Sequence, residues 1–289
     1  FIIKNSNTDS KNSSNYKDDQ NIYLSTLFQY NFSLPLIKES DKYQKILRPK
    51  MSLKLAPPHT KDQKEKNTKI DVNNLFSFNR EIDNDSVEGG ISLAYGSDYS
   101  IYDKKNTREL LNFKLANNLR LNENIDLPTN NQLGQKTSNF FTETIFNPGE
   151  FFNVKYSSSI KNNLSDIAYE NIITELKVNN FVTTFDYVNE NNTTNKNSYL
   201  TNTVKYIFDD SNNLSFSTRE NKTANLTEYY NLMYQYKNDC LAAALEYNKE
   251  YYNDRDIKPS ESIFFKLTII PFGEASSPNL KNWCSKKYN

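Results

Sequence analysis

The feature that most constrains this chain is an alternation of apolar and polar residues with a period of two, held over segments of about 10 residues. From Ile22 to Leu34, Ile22, Leu24, Thr26, Phe28, Tyr30, Phe32 and Leu34 share one face, opposite Ser25, Gln29, Asn31 and Ser33. Leu47, Met51, Leu53 and Leu55 oppose Arg48, Lys50, Ser52 and Lys54, and Val87, Ile91, Leu93 and Tyr95 oppose Glu88, Ser92 and Ala94. The clearest case sets Leu111, Phe113, Leu115 and Leu119 against Asn112, Lys114, Asn118 and Arg120. Successive side chains of a strand point to opposite faces, so each segment predicts a strand with one apolar and one polar side. Burying the charged side in a soluble core is costly, which predicts water beside it.

Similar segments follow near 138–146, 151–160, 164–176, 181–188, 198–208, 214–220, 226–236, 240–251 and 262–271. Together they give about 13 strands, many of the length that a tilted strand needs to cross a bilayer. No long window repeats apolar residues at helical spacing, although 166–177 is ambiguous and reads as strand. Connections alternate in length. Those at 38–43, 147–150, 177–180, 209–213 and 237–239 are brief, whereas those at 57–86, 122–136, 189–197 and 252–259 are long. Two fit less well, because 99–106 is long for its class and 221–225 is short for its own. Envelope barrels pair short periplasmic turns with longer external loops, and a final strand ending in the periplasm puts every long connection outside.

Composition supports strands and excludes several kinds of chemistry. Tyr (20) and Phe (18) supply much of the apolar surface and suit strands, while Gly (6) and Pro (9) are few. The mean hydropathy of −0.80 suits a soluble chain, but polar lumen positions of a membrane barrel lower the average equally. With a formal net charge of +0, bulk charge favours no anionic partner. No apolar run is long enough for a transmembrane helix, which leaves a barrel as the way across a membrane. Cys240 and Cys284 make no CxxC pair, and the one histidine, His59, completes no metal cluster. His59 follows Ala56-Pro57-Pro58 in a polar stretch and reads as a loop residue. Nothing supports catalysis, a cofactor or a metal; the Asp254-Arg255-Asp256 cluster reads as an external turn, since adjacent side chains there point apart.

The predicted fold is therefore all-β: an antiparallel up-and-down outer-membrane β-barrel, about half of a large one, incomplete without an N-terminal half. Residues 1–21 are expected to be the stump of an upstream strand with its external loop, 22–273 the C-terminal part of the transmembrane barrel, and 274–289 a periplasmic tail. A lipid-exposed open sheet would leave edge N–H and C=O groups unpaired in hydrocarbon, so a chain of this kind needs the rest of a barrel.

Several blocks resemble the LptD family of lipopolysaccharide-assembly proteins. One runs Tyr236-Lys237-Asn238-Asp239-Cys240-Leu241, Asp254-Arg255-Asp256-Ile257-Lys258-Pro259 and Phe264-Phe265-Lys266-Leu267-Thr268-Ile269-Ile270-Pro271-Phe272-Gly273. The other runs from Arg48 to Pro57, through Asn74-Leu75-Phe76-Ser77, to the segment from Val87 to Gly96. The resemblance implies a barrel of about 26 strands, of which this chain supplies about half. It implies insertion of lipopolysaccharide into the outer leaflet of the Gram-negative outer membrane, the saccharide passing through the lumen and the lipid leaving by a lateral seam between first and last strands.

Implied partners are lipopolysaccharide, a lumen-plugging lipoprotein similar to LptE, a periplasmic bridge protein similar to LptA, and outer-membrane lipids. Cys240 stands where family cysteines form a disulfide with a periplasmic N-terminal domain, in an oxidising compartment; a free small residue at a turn is the alternative. This chain has one cysteine there in place of the family's adjacent pair, and the state of Cys284 is left open. The seam strand carries Ile263, Phe265, Leu267 and Ile269 toward lipid and Ser262, Lys266 and Thr268 toward the lumen, with Phe264 and Ile270 as exceptions. Pro271 either softens the seam, lacking a ladder donor, or simply ends the strand. Lys114, Arg120 and Lys205 either attract lipopolysaccharide phosphates or are solvated wall residues. A porin or solute transporter has the same strand physics, and a soluble surface β-protein would pack its apolar rows against a second sheet.

Overall fold

The computed structural model describes residues 2–7, 20–58, 62–66, 68–78, 80, 87–191, 196–251, 259–269 and 273–275. These form strands and no helix. The strands are β1 (Ile2–Asn7), β2 (Gln20–Ser25), β3 (Phe28–Ser33), β4 (Leu36–Glu39), β5 (Tyr43–Ala56), β6 (Gly90–Asp103), β7 (Glu109–Arg120), β8 (Phe140–Phe146) and β9 (Phe152–Ile160). They continue with β10 (Ile167–Val178), β11 (Phe181–Asn191), β12 (Lys196–Ile207), β13 (Asn212–Asn221), β14 (Leu226–Lys237), β15 (Leu241–Glu250), β16 (Ser260–Ile269) and β17 (Gly273–Ala275). β1 and β2 make an antiparallel pair; the rest follow chain order in an up-and-down sheet from β3 and β5 to β17, with β4 beside β5. Backbone contacts divide the chain into one unit of Phe1–Phe146, Tyr156–Glu170 and Asn191–Asn195, and a second of Asn147–Lys155, Asn171–Glu190 and Lys196–Asn289.

The expected 22–34 strand is broken at 26–27, its first part pairing with β1 and its second with β5. β3 stops before Pro35, where the facing residues include Pro49. Neither proline has an N–H to give the ladder. Only Leu34 N–H bridges the gap, to the Pro49 carbonyl at 3.1 Å, and pairing resumes in β4. The connection that read as long for its class shrinks to 104–108, because β6 runs on to Asp103 and β7 starts at Glu109. The ambiguous 166–177 stretch is β10, joined to β11 by Asn179 and Asn180, with Asn179 at φ 51°. Asparagine tolerates this left-handed turn conformation.

In the first unit the printed register aligns the alternation into rows. Leu53, Leu93 and Leu119 lie side by side, as do Leu47, Tyr99 and Phe113. This face is exposed: Phe28, Tyr30, Phe32, Met51, Ile91 and Leu115 are all open. The opposite face aligns Lys54, Ser92 and Arg120, then Ser52, Ala94 and Asn118, and all six are buried. The usual distribution of polarity is inverted.

What buries the polar face is the chain's own long connections. Ile70, Val72 and Leu75 from one, and Leu127 and Leu133 from another, pack with Ala94, Ala116 and Phe141 into a hydrophobic cluster. The two connections also bind each other, Gln63 N–H to the Asp126 carbonyl at 2.7 Å and the Asn131 amide to the Thr68 carbonyl at 3.1 Å. The water expected beside this face is thus replaced, over β5–β8, by protein.

The second unit repeats the outward pattern. Val204, Phe216, Leu232, Tyr247 and Ile263 form one row across β12–β16, and Tyr206, Leu214, Tyr234, Leu245 and Phe265 the next. The reverse face carries Thr203 and Ser217, whose hydroxyls meet at 2.8 Å, with Asn231 and Glu246 hydrogen-bonded beyond them. Apolar rows are therefore exposed in both units, with no second sheet against them among the described residues.

Candidate functional site

The densest polar chemistry of the first unit is built where the 57–89 connection returns to the sheet. Glu88 sits two residues before β6, and Gly90, at φ 92°, turns the chain into it. A Cβ there would stand 2.8 Å from an Arg120 terminal nitrogen, so glycine is required both for the backbone and for the guanidinium beside it. Arg80 grips Glu88 in a two-pronged pair, Nε to Oε2 at 2.8 Å and Nη2 to Oε1 at 2.5 Å. It also donates to Asn118 and to the Ser92 hydroxyl, each at 2.9 Å. Arg120 Nη1 reaches Glu88 Oε1 at 2.5 Å, and its Nη2 donates to the Gly89 carbonyl. Lys54 Nζ lies 3.9 Å from Glu88 and donates to the Phe78 carbonyl at 3.2 Å.

Burial alone would push the Glu88 carboxyl up, but the charges of Arg80, Lys54 and Arg120, with the Arg80 hydrogen bond, outweigh it and hold the carboxyl at about 2. The cluster is a clamp: it joins β5, β6 and β7 to a connection that would otherwise hang from two strand ends. A second set of contacts holds the middle of that connection. Lys114 bridges Glu143 at 2.8 Å and Asn73 at 2.9 Å, Lys50 pairs with Asp98 at 2.9 Å beneath the Phe76 ring, and Gln29 donates to Ser52 and to the Phe76 carbonyl.

These contacts revise two expectations. Arg120 is engaged in an ion pair under protein, and the half-buried Lys114 is held between Glu143 and Asn73, so neither is a free, solvated cation of the wall; Lys205 is half-buried opposite Ser215. In the sequence Glu88 is one polar residue of an alternating segment, and nothing around Arg80 marks it as its partner. The only sequence signal for the clamp was the Gly89-Gly90 pair beside Glu88, which marks a place where backbone and side chains crowd.

Cys240 lies in the 238–240 turn between β14 and β15 and is exposed. Asn238 builds that turn, its side-chain oxygen accepting from Cys240 N–H at 3.0 Å and Leu241 N–H at 2.7 Å. Across β16, Ile263, Phe265, Leu267 and Ile269 share the exposed face, while Lys266 and Thr268 are each 4% exposed on the other. Ile263 (71%) and Phe265 (66%) are the barest, because β17 covers only Leu267–Ile269 of that edge. Pro271, Ile270, His59, Cys284 and the Asp254–Asp256 cluster lie outside the described residues.

The sequence matches the family model "LptD: LPS transport system D" over residues 3–221. The chain belongs to that family. LptD proteins are lipopolysaccharide-transport proteins of the outer membrane, and the all-β, up-and-down sheet with its outward apolar rows is the architecture such a member needs. No curated protein matches the chain. Among solved structures, one described as "Asymmetric conductivity of engineered proteins" is 10% identical, with a TM-score of 0.38, over 89% of this chain and 92% of that one.

Proposed function

We propose that this LptD-family chain forms part of the wall of an outer-membrane barrel through which lipopolysaccharide reaches the outer leaflet, the saccharide travelling along the polar face and the acyl chains leaving past β16. One observation carries the reading: in a chain of this family, continuous apolar rows run across β12–β16 on one face while the reverse face carries hydrogen-bonded polar side chains. Acyl chains tolerate hydrocarbon and phosphorylated sugars need polar surroundings, so an exporter must present both and let one side open.

In this proposal Ile263, Phe265, Leu267 and Ile269 face lipid on the seam strand, and Pro271 weakens pairing at its end. Cys240 forms a disulfide with a periplasmic domain of the full-length protein. The partners are a lipoprotein similar to LptE inside the lumen and a bridge protein similar to LptA on the periplasmic side.

The test is photocrosslinking in cells carrying the full-length protein. A crosslinker at Ser262, toward the lumen, is expected to capture lipopolysaccharide during export, and one at Lys38, beside a tight turn, is not. Equal capture at both, or at neither while export proceeds, would overturn the route. If Pro271→Val leaves export and seam crosslinking unchanged, Pro271 is only a strand stop.

A further inference from the structure

The outward apolar rows differ in height between the two units. In the first, the outward side of β6 runs from Ile101, near the 104–108 turn, to Ile91, near the 57–89 connection, interrupted only by Ser97. Ten residue steps, from 91 to 101, make about 33 Å of strand, which at a tilt of about 40° stands about 25 Å high, the apolar band of an outer-membrane barrel. In the second unit the rows end sooner. On β15 they run from Leu241 to Tyr247 and on β16 from Ile269 to Ile263, six residue steps in each. Six steps make about 20 Å of strand and stand about 15 Å high at the same tilt.

What ends them is a row with a polar group on every strand: Asn202, Thr218, Tyr230, Lys249 and Glu261, consecutive partners across β12–β16. Each member lies two residues from one of Val204, Phe216, Leu232, Tyr247 and Ile263, so the row is on the same outward face. The Tyr230 ring accordingly stacks with that of Phe216, their centroids 6.1 Å apart. Lys249 Nζ stands 4.0 Å from Glu261, their side chains 40% and 61% exposed, and Glu261 also accepts from the Tyr247 hydroxyl at 2.8 Å. Beyond this row Leu200 is followed by Glu220 and Thr227, and the apolar band does not resume.

We propose that the bilayer is thinned against β12–β16, its headgroup layer drawn in to the row from Asn202 to Glu261. An open ion pair is costly in hydrocarbon. Lys249 is long enough to snorkel out of it, but Asn202 and Thr218 are short, so the polar boundary has to come to them. A bilayer meets an apolar stretch shorter than its own hydrocarbon by thinning locally. The inference rests on the proposed reading of this face as lipid-facing, and adds to it a shortened hydrocarbon path for an amphiphile that leaves past β16.

The test places a genetically encoded fluorescent amino acid at one of three outward positions of the full-length protein, reconstituted in phosphatidylcholine vesicles. Thr218 and Leu241 mark the two ends of the second unit's band, and Leu119 lies within the first unit's. Quenching is compared between phosphatidylcholine carrying a nitroxide on its headgroup and one carrying it on the acyl chain just below. Thr218 and Leu241 are both expected to be quenched more by the headgroup nitroxide, and Leu119 more by the acyl one. Lys249→Leu/Glu261→Leu removes the charges of the row and is expected to reverse the order at Thr218. Acyl preference at Thr218 in the unaltered row, or an order that the double substitution does not move, would overturn the thinning. Headgroup preference at Thr218 with acyl preference at Leu241 would mean a displaced wall in a bilayer of ordinary thickness, and would overturn it as well. So would quenching at Leu119 with none at Thr218, which would put a protein partner over the row. No quenching at any of the three positions would instead overturn the membrane reading itself.

Discussion

Glu88 is the residue on which the covered face of the first unit turns, since Arg80, Arg120 and Lys54 all converge on it. Its neutral replacement, Glu88→Gln, leaves buried cations without their shared counter-charge, a change that costs about 3–5 kcal/mol when one partner of a buried pair is removed. Faster hydrogen exchange across 62–78 and an earlier denaturation midpoint are the expected readouts. The pH dependence follows from the same pair. The folded carboxyl titrates at about 2, below its ordinary 4.5, so its contribution is complete above pH 4.5 and is lost as pH falls from there through about 2. Exchange protection of 62–78 measured in mild acid is therefore expected to hold at pH 5 and collapse toward pH 2, whereas Glu88→Gln shows no such transition.

Strands were the most legible element in the sequence, because a period of two is local and needs no knowledge of partners. The rows from Val204 to Ile263 and from Leu53 to Leu119 follow directly from it. The break at 26–27 and the pairing of β4 were not legible, since they depend on which strand meets Pro35 and Pro49 across the ladder. The clamp was hidden for the same reason: Arg80 and Arg120 are far apart in sequence and meet only when a long connection folds back. On the outward rows, Leu232→Arg is expected to cost about 2–4 kcal/mol in urea titrations from lipid vesicles if it sits near the bilayer midplane. Asn231→Arg, one residue along on the polar face, is expected to cost far less. Equal costs would contradict the assignment of faces. At the β10–β11 turn, Asn179→Val places a β-branched residue at positive φ and is expected to lower stability by about 1–3 kcal/mol.

At the scale of the whole molecule, the chain is an up-and-down sheet of a lipopolysaccharide-transport family, and the disulfide proposed at Cys240 would tie it to a periplasmic domain. Cys240→Ser in the full-length protein is expected to abolish a mobility shift between reducing and non-reducing gels; a shift that persists assigns the bond elsewhere. The covered polar face has a further consequence, for how such a chain tolerates change over generations. Against a bilayer, exposed greasy positions such as Phe28 would touch a fluid that accepts almost any hydrocarbon shape, which would leave them free to drift among one another. Lys54, Arg80, Glu88 and Arg120 answer to fixed partners at fixed lengths, and each is hard to exchange. In most proteins charge is the variable skin and hydrocarbon the guarded heart; here the two trade places.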